Sequence, residues 1–405
     1  MHHKLMTTLC CLLCTAGLAI AQPSPFQVEP IADFDEPWAL TFLPDGRMLV
    51  TEKKGNLLIV GQNGEKSPPV SGVPDVDYGG QGGLGDVALH PDFATNRMLY
   101  FSYAEAGAGS TRGAAVARGV LAGSDERPAL EGVEVIWRQY PKVLGRGHYG
   151  HRLLFDEAGY LWVSSGERQK FTPAQDMQTN LGKVLRLRDD GSLPDDNPFA
   201  NYRRDDPQVD EEAIYGEIWS FGHRNPLGMA ADLQDRLWVI EMGPAGGDEL
   251  NLIQRGANYG YPVVSNGDHY DGRKIPDHSP GDGFAAPAIS WTPVISPADL
   301  MVYRGSLFPQ WRGNAFAAGL SAKGIVRIAL GEDGSAREAA RYDMGARIRG
   351  VVEGPAVQRR GPVGYVDLLA ALPACHQTHR HRTATAGARG DIHISGSEEA
   401  DVVER

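Results

Sequence analysis

The chain has 405 residues, with 50 glycines and 27 prolines spread along it, enough to bury a large core as one or two domains rich in tight turns. A formal net charge of −12 excludes a general nucleic-acid surface, which needs a basic face, and leaves any anionic ligand to local arginines. Three of the four cysteines fall in the first 14 residues, so a disulfide framework is excluded.

The first predicted element lies outside the fold. Lys4, the apolar run Leu5 to Leu18 and the small-x-small site Ala19-Ile20-Ala21 read as a secretory signal over 1–21, cleaved after Ala21. The run is short for a membrane span, which takes about 20 apolar residues. The expectation is a periplasmic or secreted protein with no stable membrane anchor.

Beyond it one pattern recurs, a turn rich in Asp, Gly or Asn followed by a β-rich apolar run. It reads LPDGRMLVTEKKGNLLIV (43–60), HPDFATNRMLYFSYAE (90–105), FDEAGYLWVSS (155–165), LQDRLWVIE (233–241) and RGNAFAAGLSAKGIVRIAL (312–330). A further copy starts at Val351-Val352-Glu353-Gly354-Pro355. Short strands with turn signals at irregular spacing predict an all-β chain of repeated antiparallel sheets, a β-propeller over 22–355, with an all-β sandwich as the alternative. Long loops at 189–212 and 266–286 would gather on one face and carry function.

Within this frame, chemistry-bearing residues sit at strand mouths. Gln81, in YGGQGGLGDVALHPDF, is a polar side chain in a glycine-rich approach to a strand. GHYGHRLLFDEAGYLWVSSGE (147–167) predicts a hairpin of Arg152–Phe155 and Tyr160–Ser165 that brings His148 and Glu167 to one end. A carboxylate beside an imidazole can orient it as a general base, although a lone His is more often structural. In GHRNPLGMA (222–230), Arg224 suits a carboxylate or a developing oxyanion and Asn225 a carbonyl; a structural ion pair is the alternative. In EMGPAGGDELNLIQRGANYGYP (241–262), the carbonyls of Gly243, Pro244 and the Asn258-Tyr259-Gly260 turn join Asp248 and Glu249 as hard oxygen donors suited to Ca²⁺; a solvated acidic turn is the alternative. Arg347 and Arg349 in GARIRGV, spaced i and i+2 on a strand, form either a clamp for a multiply anionic ligand or an exposed charged face.

From about Ala356 the alternation stops, and 356–405 is expected to be an aberrant or disordered tail, the last ~50 residues being an out-of-frame or otherwise replaced terminus. Its Cys375, His376, His379 and His381 match no zinc spacing well.

Taken in order, GQGGLGDVALHPDF, GHYGHRLLFDEAGYLWVSSGE, IWSFGHRNPLGMA, GPAGGDELN with NYGYP, and RIRGV resemble the soluble pyrroloquinoline quinone (PQQ)-dependent aldose sugar dehydrogenases of the glucose/sorbosone dehydrogenase family, from about Phe26 to Pro355. The resemblance implies a six-bladed β-propeller with PQQ on the top face, and the aberrant terminus is expected to leave its last blade incomplete here. It implies His148 as catalytic base, Glu167 as its support and Gln81 on the substrate side. Arg224 and Asn225 would face the quinone carbonyls, and Arg347 and Arg349 the cofactor's carboxylates. Gly243 and Pro244 would hold the cofactor's Ca²⁺, and Glu249 with the main chain of Tyr259 a further Ca²⁺. Ser321 stands where the family often has a quinone-contacting Lys, with Lys323 as its substitute on the same strand face. The implied reaction oxidises an aldose at the anomeric carbon to a lactone and passes electrons to an external acceptor, in a monomer or homodimer. The alternatives are a calcium-dependent lactone hydrolase and a non-catalytic binding propeller.

Overall fold

The computed structural model describes residues 28, 30–200, 215–357 and 366–373. The expected signal segment, residues 201–214 of the first long loop and the chain beyond Pro373, with Cys375 and its neighbouring histidines, lie outside the described residues.

Among the described residues twenty-three strands follow one another: β1 (Pro37–Phe42), β2 (Met48–Glu52), β3 (Asn56–Val60), β4 (Leu84–Leu89), β5 (Met98–Ala106), β6 (Arg112–Ser124), β7 (Arg127–Arg138), β8 (Gly150–Phe155), β9 (Leu161–Ser165), β10 (Lys183–Leu187), β11 (Ile218–Phe221), β12 (Pro226–Ala231), β13 (Leu237–Glu241), β14 (Ala245–Gly246), β15 (Asp248–Leu252), β16 (Gly267–Asp268), β17 (Ile289–Trp291), β18 (Pro297–Val302), β19 (Ala315–Gly319), β20 (Gly324–Leu330), β21 (Ala336–Asp343), β22 (Ile348–Val357) and β23 (Val366–Pro373). They form five antiparallel sheets of three or four strands, β1–β3, β4–β7, β8–β11, β12-β13-β15-β17 and β18–β21, the blades of an all-β propeller. A small β14–β16 ladder flanks the fourth sheet. Each blade starts at its innermost strand and meanders outward, so the residues entering the innermost strands gather around one mouth. β22 carries the further copy expected at 351–355, and β23, from the 356–405 stretch expected to leave the pattern, pairs with it in a register that sets Val351 opposite Ala371 and Val357 opposite Val366, with β22 beside both β18 and β1.

Strand alternation builds the core between blades. On β9, Leu161 and Val163 pack towards Tyr100 and Val116 of the preceding blade, while Trp162 packs towards Met229 and Val239 of the next. On β13, Trp238 and Ile240 turn to Leu300 and Val326, and Leu237 and Val239 face back. A strand buried on both faces reads as a continuous apolar run, which is why LWVSS and LWVIE lack polar alternation. The Asp of each preceding turn has a structural task. Asp156 Oδ1 accepts the Tyr160 N–H and its Oδ2 the Trp162 indole N–H at 2.8 Å. Asp232 does the same for the Arg236 N–H and the Trp238 indole, the latter at 2.9 Å.

At the axis, Arg152 of β8 ties the innermost strands together. Its guanidinium donates to Leu227 O (2.6 Å) and Ala298 O, pairs with Asp86 (3.2 Å) and Asp299 (3.6 Å), and lies 4.2 Å from the Trp38 ring centroid. Asp86 also accepts the Leu153 N–H and Asp299 the Val351 N–H. One buried cation thereby links β1, β4, β8, β12, β18 and β22. Arg152→Ala strands two buried carboxylates and should cost about 3–5 kcal/mol in urea unfolding. Arg47→Ala, which breaks surface pairs with Asp45 and Asp125, should cost less than about 1 kcal/mol in the same assay.

Candidate active site

A backbone relay at the mouth brings together three segments distant in sequence. The β8–β9 hairpin closes with Gly166 N–H donating to Tyr149 O and Arg168 N–H to His148 O. Glu167 N–H then donates to Arg224 O at 2.9 Å, and Met242 N–H to Asn225 O at 3.2 Å. His148, Glu167, Arg224, Asn225 and the Met242-Gly243 carbonyls are thus set side by side by main-chain bonds. Gly166 is required where the strands pass: a Cβ there would lie 2.1 Å from His148 O and 3.0 Å from Asn225 Oδ1.

His148 Nδ1 lies 2.5 Å from Glu167 Oε1, and both side chains are buried. The other oxygen of Glu167 accepts the backbone N–H groups of Lys170 and Phe171, the latter at 2.7 Å. With Nδ1–H donating to the carboxylate, Nε2 keeps its lone pair. Burial and then the nearby Arg224 charge push the imidazole below its ordinary value despite Glu167, so it is neutral at neutral pH. Burial pushes the Glu167 carboxyl up, but its bonds to His148 and the backbone hold it below the usual range overall. A buried, neutral, oriented imidazole is a general base in form. Gln81 Oε1 accepts the His148 N–H at 2.7 Å. His151 is different: its Nδ1 meets Ser102 Oγ at 2.7 Å, its ring stacks on Trp38 at 4.8 Å, and burial pushes it down to about 3, a core histidine.

Beside this pair stand unsatisfied polar groups. Both amide atoms of Asn225 and Arg224 Nε are buried without a well-formed hydrogen bond, and the Tyr261 hydroxyl is buried against Arg224. Native interiors rarely tolerate such orphans unless something else meets them. Arg224 Nη1 donates to Gly243 O (2.7 Å) and Met242 O (3.0 Å), and its backbone N–H to Glu241 Oε2. Gly243, Pro244, Glu241, Glu249 and Tyr259 line one small pocket together with Arg224. Burial and the adjacent Glu241 charge push the Glu249 carboxyl far up, and the nearby Asn251 Oδ1 is itself orphaned. A cation or a proton is what this cluster lacks.

Arg347 and Arg349 stand at the entry of β22, across the ring from β8. Arg349 is drawn down to about 10 by burial and by the charges of Arg152 and Arg347, so the guanidinium groups crowd together. Lys323 and Ser321 occupy the Leu320–Lys323 turn between β19 and β20, so the expectation that they share a strand face is corrected: no strand alternation relates them. Ser321 Oγ donates to Val294 O. Asp248 is engaged by the backbone N–H groups of Gly243, Ile295 and Ser296 and serves the loop.

Sequence reasoning missed Arg168 and Glu241. Arg168, fully buried, donates to Gly147 O, Arg112 O and Gly145 O and lies 3.8 Å from the Tyr149 ring centroid, bracing the loop that carries His148. Glu241 fixes the segment that carries Arg224, through its backbone N–H and through His223 Nδ1 at 2.9 Å. Both are charged residues directly after or at the end of an apolar run, a signal that marks strand mouths but not partners.

Comparison with known proteins gives a consistent picture. The glucose/sorbosone dehydrogenase family model matches residues 34–358. The chain is 39% identical over 375 residues to the aldose sugar dehydrogenase YliI of Escherichia coli, covering 91% of this chain and 96% of that protein. The crystal structure of the soluble aldose sugar dehydrogenase from Escherichia coli in the apo-form superposes with a TM-score of 0.73, covering 84% of this chain and 93% of that one. The PQQ-bound aldose sugar dehydrogenase from Streptomyces coelicolor does so with a TM-score of 0.63 at 28% identity, covering 80% and 87%.

The Glu249 carboxyl has a clear thermodynamic sign. Its folded-state value is raised, so it stabilises the fold at low pH and that contribution is lost as pH rises through the folded value. In chelator-treated protein, Glu249→Gln should therefore raise Tm over the parent by about 2–4 °C at pH 8, with the gap closing towards pH 4, as read by calorimetry.

Proposed function

The chain belongs to the glucose/sorbosone dehydrogenase family, and from that premise we propose that it oxidises aldose sugars at the anomeric carbon to lactones with PQQ as cofactor, in the periplasm or outside the cell. The observation that carries this reading is the neutral His148 imidazole held by the Glu167 carboxylate and set beside the orphaned amide of Asn225 and the Arg224 guanidinium. The same reading takes the β22–β23 ladder as the start of a sixth blade between β18 and β1.

The residues fit the cofactor. PQQ carries three carboxylates and quinone oxygens; Asn225 and Arg224 Nε offer buried unpaired donors, and Arg347 and Arg349 offer crowded positive charge. Lys323, in the β19–β20 turn, is assigned with them to the cofactor. The carbonyls of Gly243 and Pro244 suit a Ca²⁺ at the cofactor, and Glu249 with the Tyr259 main chain a further one. The Gly243 oxygen that accepts from Arg224 retains a second lone pair for a metal. When bound, PQQ supplies a two-electron acceptor and its Ca²⁺ a Lewis acid.

His148 Nε2 takes the proton of the anomeric hydroxyl, and the Glu167 carboxylate steadies the imidazolium that forms. Gln81, through the His148 N–H, fixes the backbone at the base and presents its amide on the substrate side. Arg224 holds a fixed positive charge where negative charge develops. A lactone hydrolase is less favoured. It needs axial carboxylates free for metal, and here Asp86 and Asp299 are spoken for by Arg152 and backbone N–H groups.

The test is reconstitution with PQQ and Ca²⁺ followed by aldose-dependent dye reduction. His148→Ala should lower kcat by about 10²–10⁴-fold while PQQ still binds, and retention of full activity would refute the base assignment. Because His148 must be neutral and is held low, kcat/KM should stay flat down through about pH 6.5 and fall only below it. Glu167→Gln removes a group that raises the imidazole, so the acid limb should move to still lower pH as kcat drops.

A further inference from the structure

Phe171 sits where an aromatic side chain ought not to be. Its backbone has φ 63° and ψ −80°, and the Thr172 N–H donates to Lys170 O at 2.8 Å across it, a γ-turn of the rare, strained, positive-φ kind. The strain is held by Glu167, whose second oxygen accepts the N–H groups of Lys170 and Phe171. The turn displays its ring, since Phe171 is 40% exposed. Strain concentrated at a site, with a large apolar group left in water, calls for a function that the packing does not supply.

A second aromatic rises from the opposite loop. Tyr270 is 60% exposed at the tip of a turn closed by Gly272 N–H to His269 O. Its hydroxyl lies 3.4 Å from Arg224 Nη2 and its ring centroid 5.7 Å from the guanidinium carbon. His269 meets the Phe171 ring edge-on at 5.4 Å, so the two loops touch over the mouth. The groups assigned to the cofactor, Asn225 and Arg224, are buried, whereas these rings form the rim. On this side of the mouth the buried groups go to the cofactor, and the exposed rings are left for what binds above it.

We propose that Phe171 and Tyr270 form an aromatic platform against which the C–H face of the sugar ring stacks while its anomeric hydroxyl is turned to His148. A pyranose has hydroxyl groups around its edge and an apolar face of C–H bonds, so it satisfies an exposed ring and a polar cleft at once. Glu167 then has two tasks. One oxygen orients the base and the other pins the turn that carries the platform, so the distance between proton acceptor and sugar face is set by a single carboxylate. The inference rests on the aldose reading above.

The test uses the PQQ- and Ca²⁺-loaded chain and 1,5-anhydroglucitol, a pyranose lacking the anomeric hydroxyl, with binding followed by saturation-transfer NMR. Saturating aromatic protons should mark the axial C–H protons of one sugar face. Phe171→Ala should weaken analogue binding, and raise KM for aldoses, by about three- to tenfold; Phe171→Trp should restore both, and Tyr270→Ala should repeat the loss. PQQ affinity, read by fluorescence quenching, should stay within about twofold in each variant, and an unchanged melting profile certifies folding. Unchanged analogue affinity in Phe171→Ala, no analogue binding to the parent chain, or a loss of PQQ affinity in its place would each overturn the platform. If aldose-dependent dye reduction survives any of these results, the platform alone has failed; if the parent chain reduces no dye with any aldose, the aldose reading has failed with it.

Discussion

Everything at the mouth of this propeller depends on a carboxylate that has no contact with water. Glu167 is fully buried, and its charge persists because every lone pair that matters is engaged: one oxygen by the His148 ring, the other by two backbone N–H groups. A carboxylate buried without such partners would take up a proton and lose its hold on the imidazole. The cost of ordering the loop is shared by Arg168, which fills three carbonyls on the strand approach, and by the Glu167 N–H bond to Arg224 O. The site is rigid because its polar atoms are counted for, and it is reactive at the few positions where they are not.

Those positions are informative beside the buried charged groups, which are well satisfied, although Trp137 Nε1, the Tyr149 hydroxyl and both His278 ring nitrogens are also buried without a well-formed hydrogen bond. Lys183, buried beneath the same loop, gives its ammonium to the carbonyls of Pro173, Ala174 and Leu181. Arg152 spends its guanidinium on two carbonyls and two carboxylates. Against that background, Asn225 with both amide atoms unpartnered marks a place built for something outside the chain. Backbone strain points the same way. Five residues with positive φ that are not glycine, His148, His151, Arg168, Gln169 and Phe171, fall within 24 residues around the hairpin, and strain of this kind survives only where surrounding bonds over-determine it.

Much of this was legible in the sequence. The Asp-rich turns predicted the hairpins because an Asp side chain at such a turn can bind the N–H groups that follow, and the structure uses Asp156 and Asp232 that way. The hairpin 147–167 predicted that His148 and Glu167 meet, because two residues flanking an antiparallel pair must return to one end. What stayed hidden depends on contacts between blades. Nothing local to Arg152 says that its partners are Asp86 and Asp299, 66 and 147 positions away by residue number. Alternation could not place Ser321 and Lys323, because they stand in a turn. Phe171 was invisible for a further reason: its importance lies in a backbone conformation that no propensity favours.

The charge distribution completes the physical picture. A chain of net charge −12 should repel a multiply anionic ligand at long range, yet that repulsion is screened within about 8 Å at physiological salt. Inside the mouth the balance is reversed. Burial, and then the charges of Arg152 and Arg347, draw Arg349 down to about 10, a shift that the nearby Asp299 carboxylate offsets only in part. A cationic cluster under-neutralised by its own protein favours whatever anion relieves it, and low-dielectric walls strengthen that preference over what surface lysines could offer. An acidic exterior with a basic throat therefore discriminates by depth. Anions are discouraged by the exterior and favoured where Arg347 and Arg349 add their charge to that of Arg152, and a neutral sugar crosses the exterior without penalty. In the proposed reading, that division separates where the cofactor is held from where the substrate arrives.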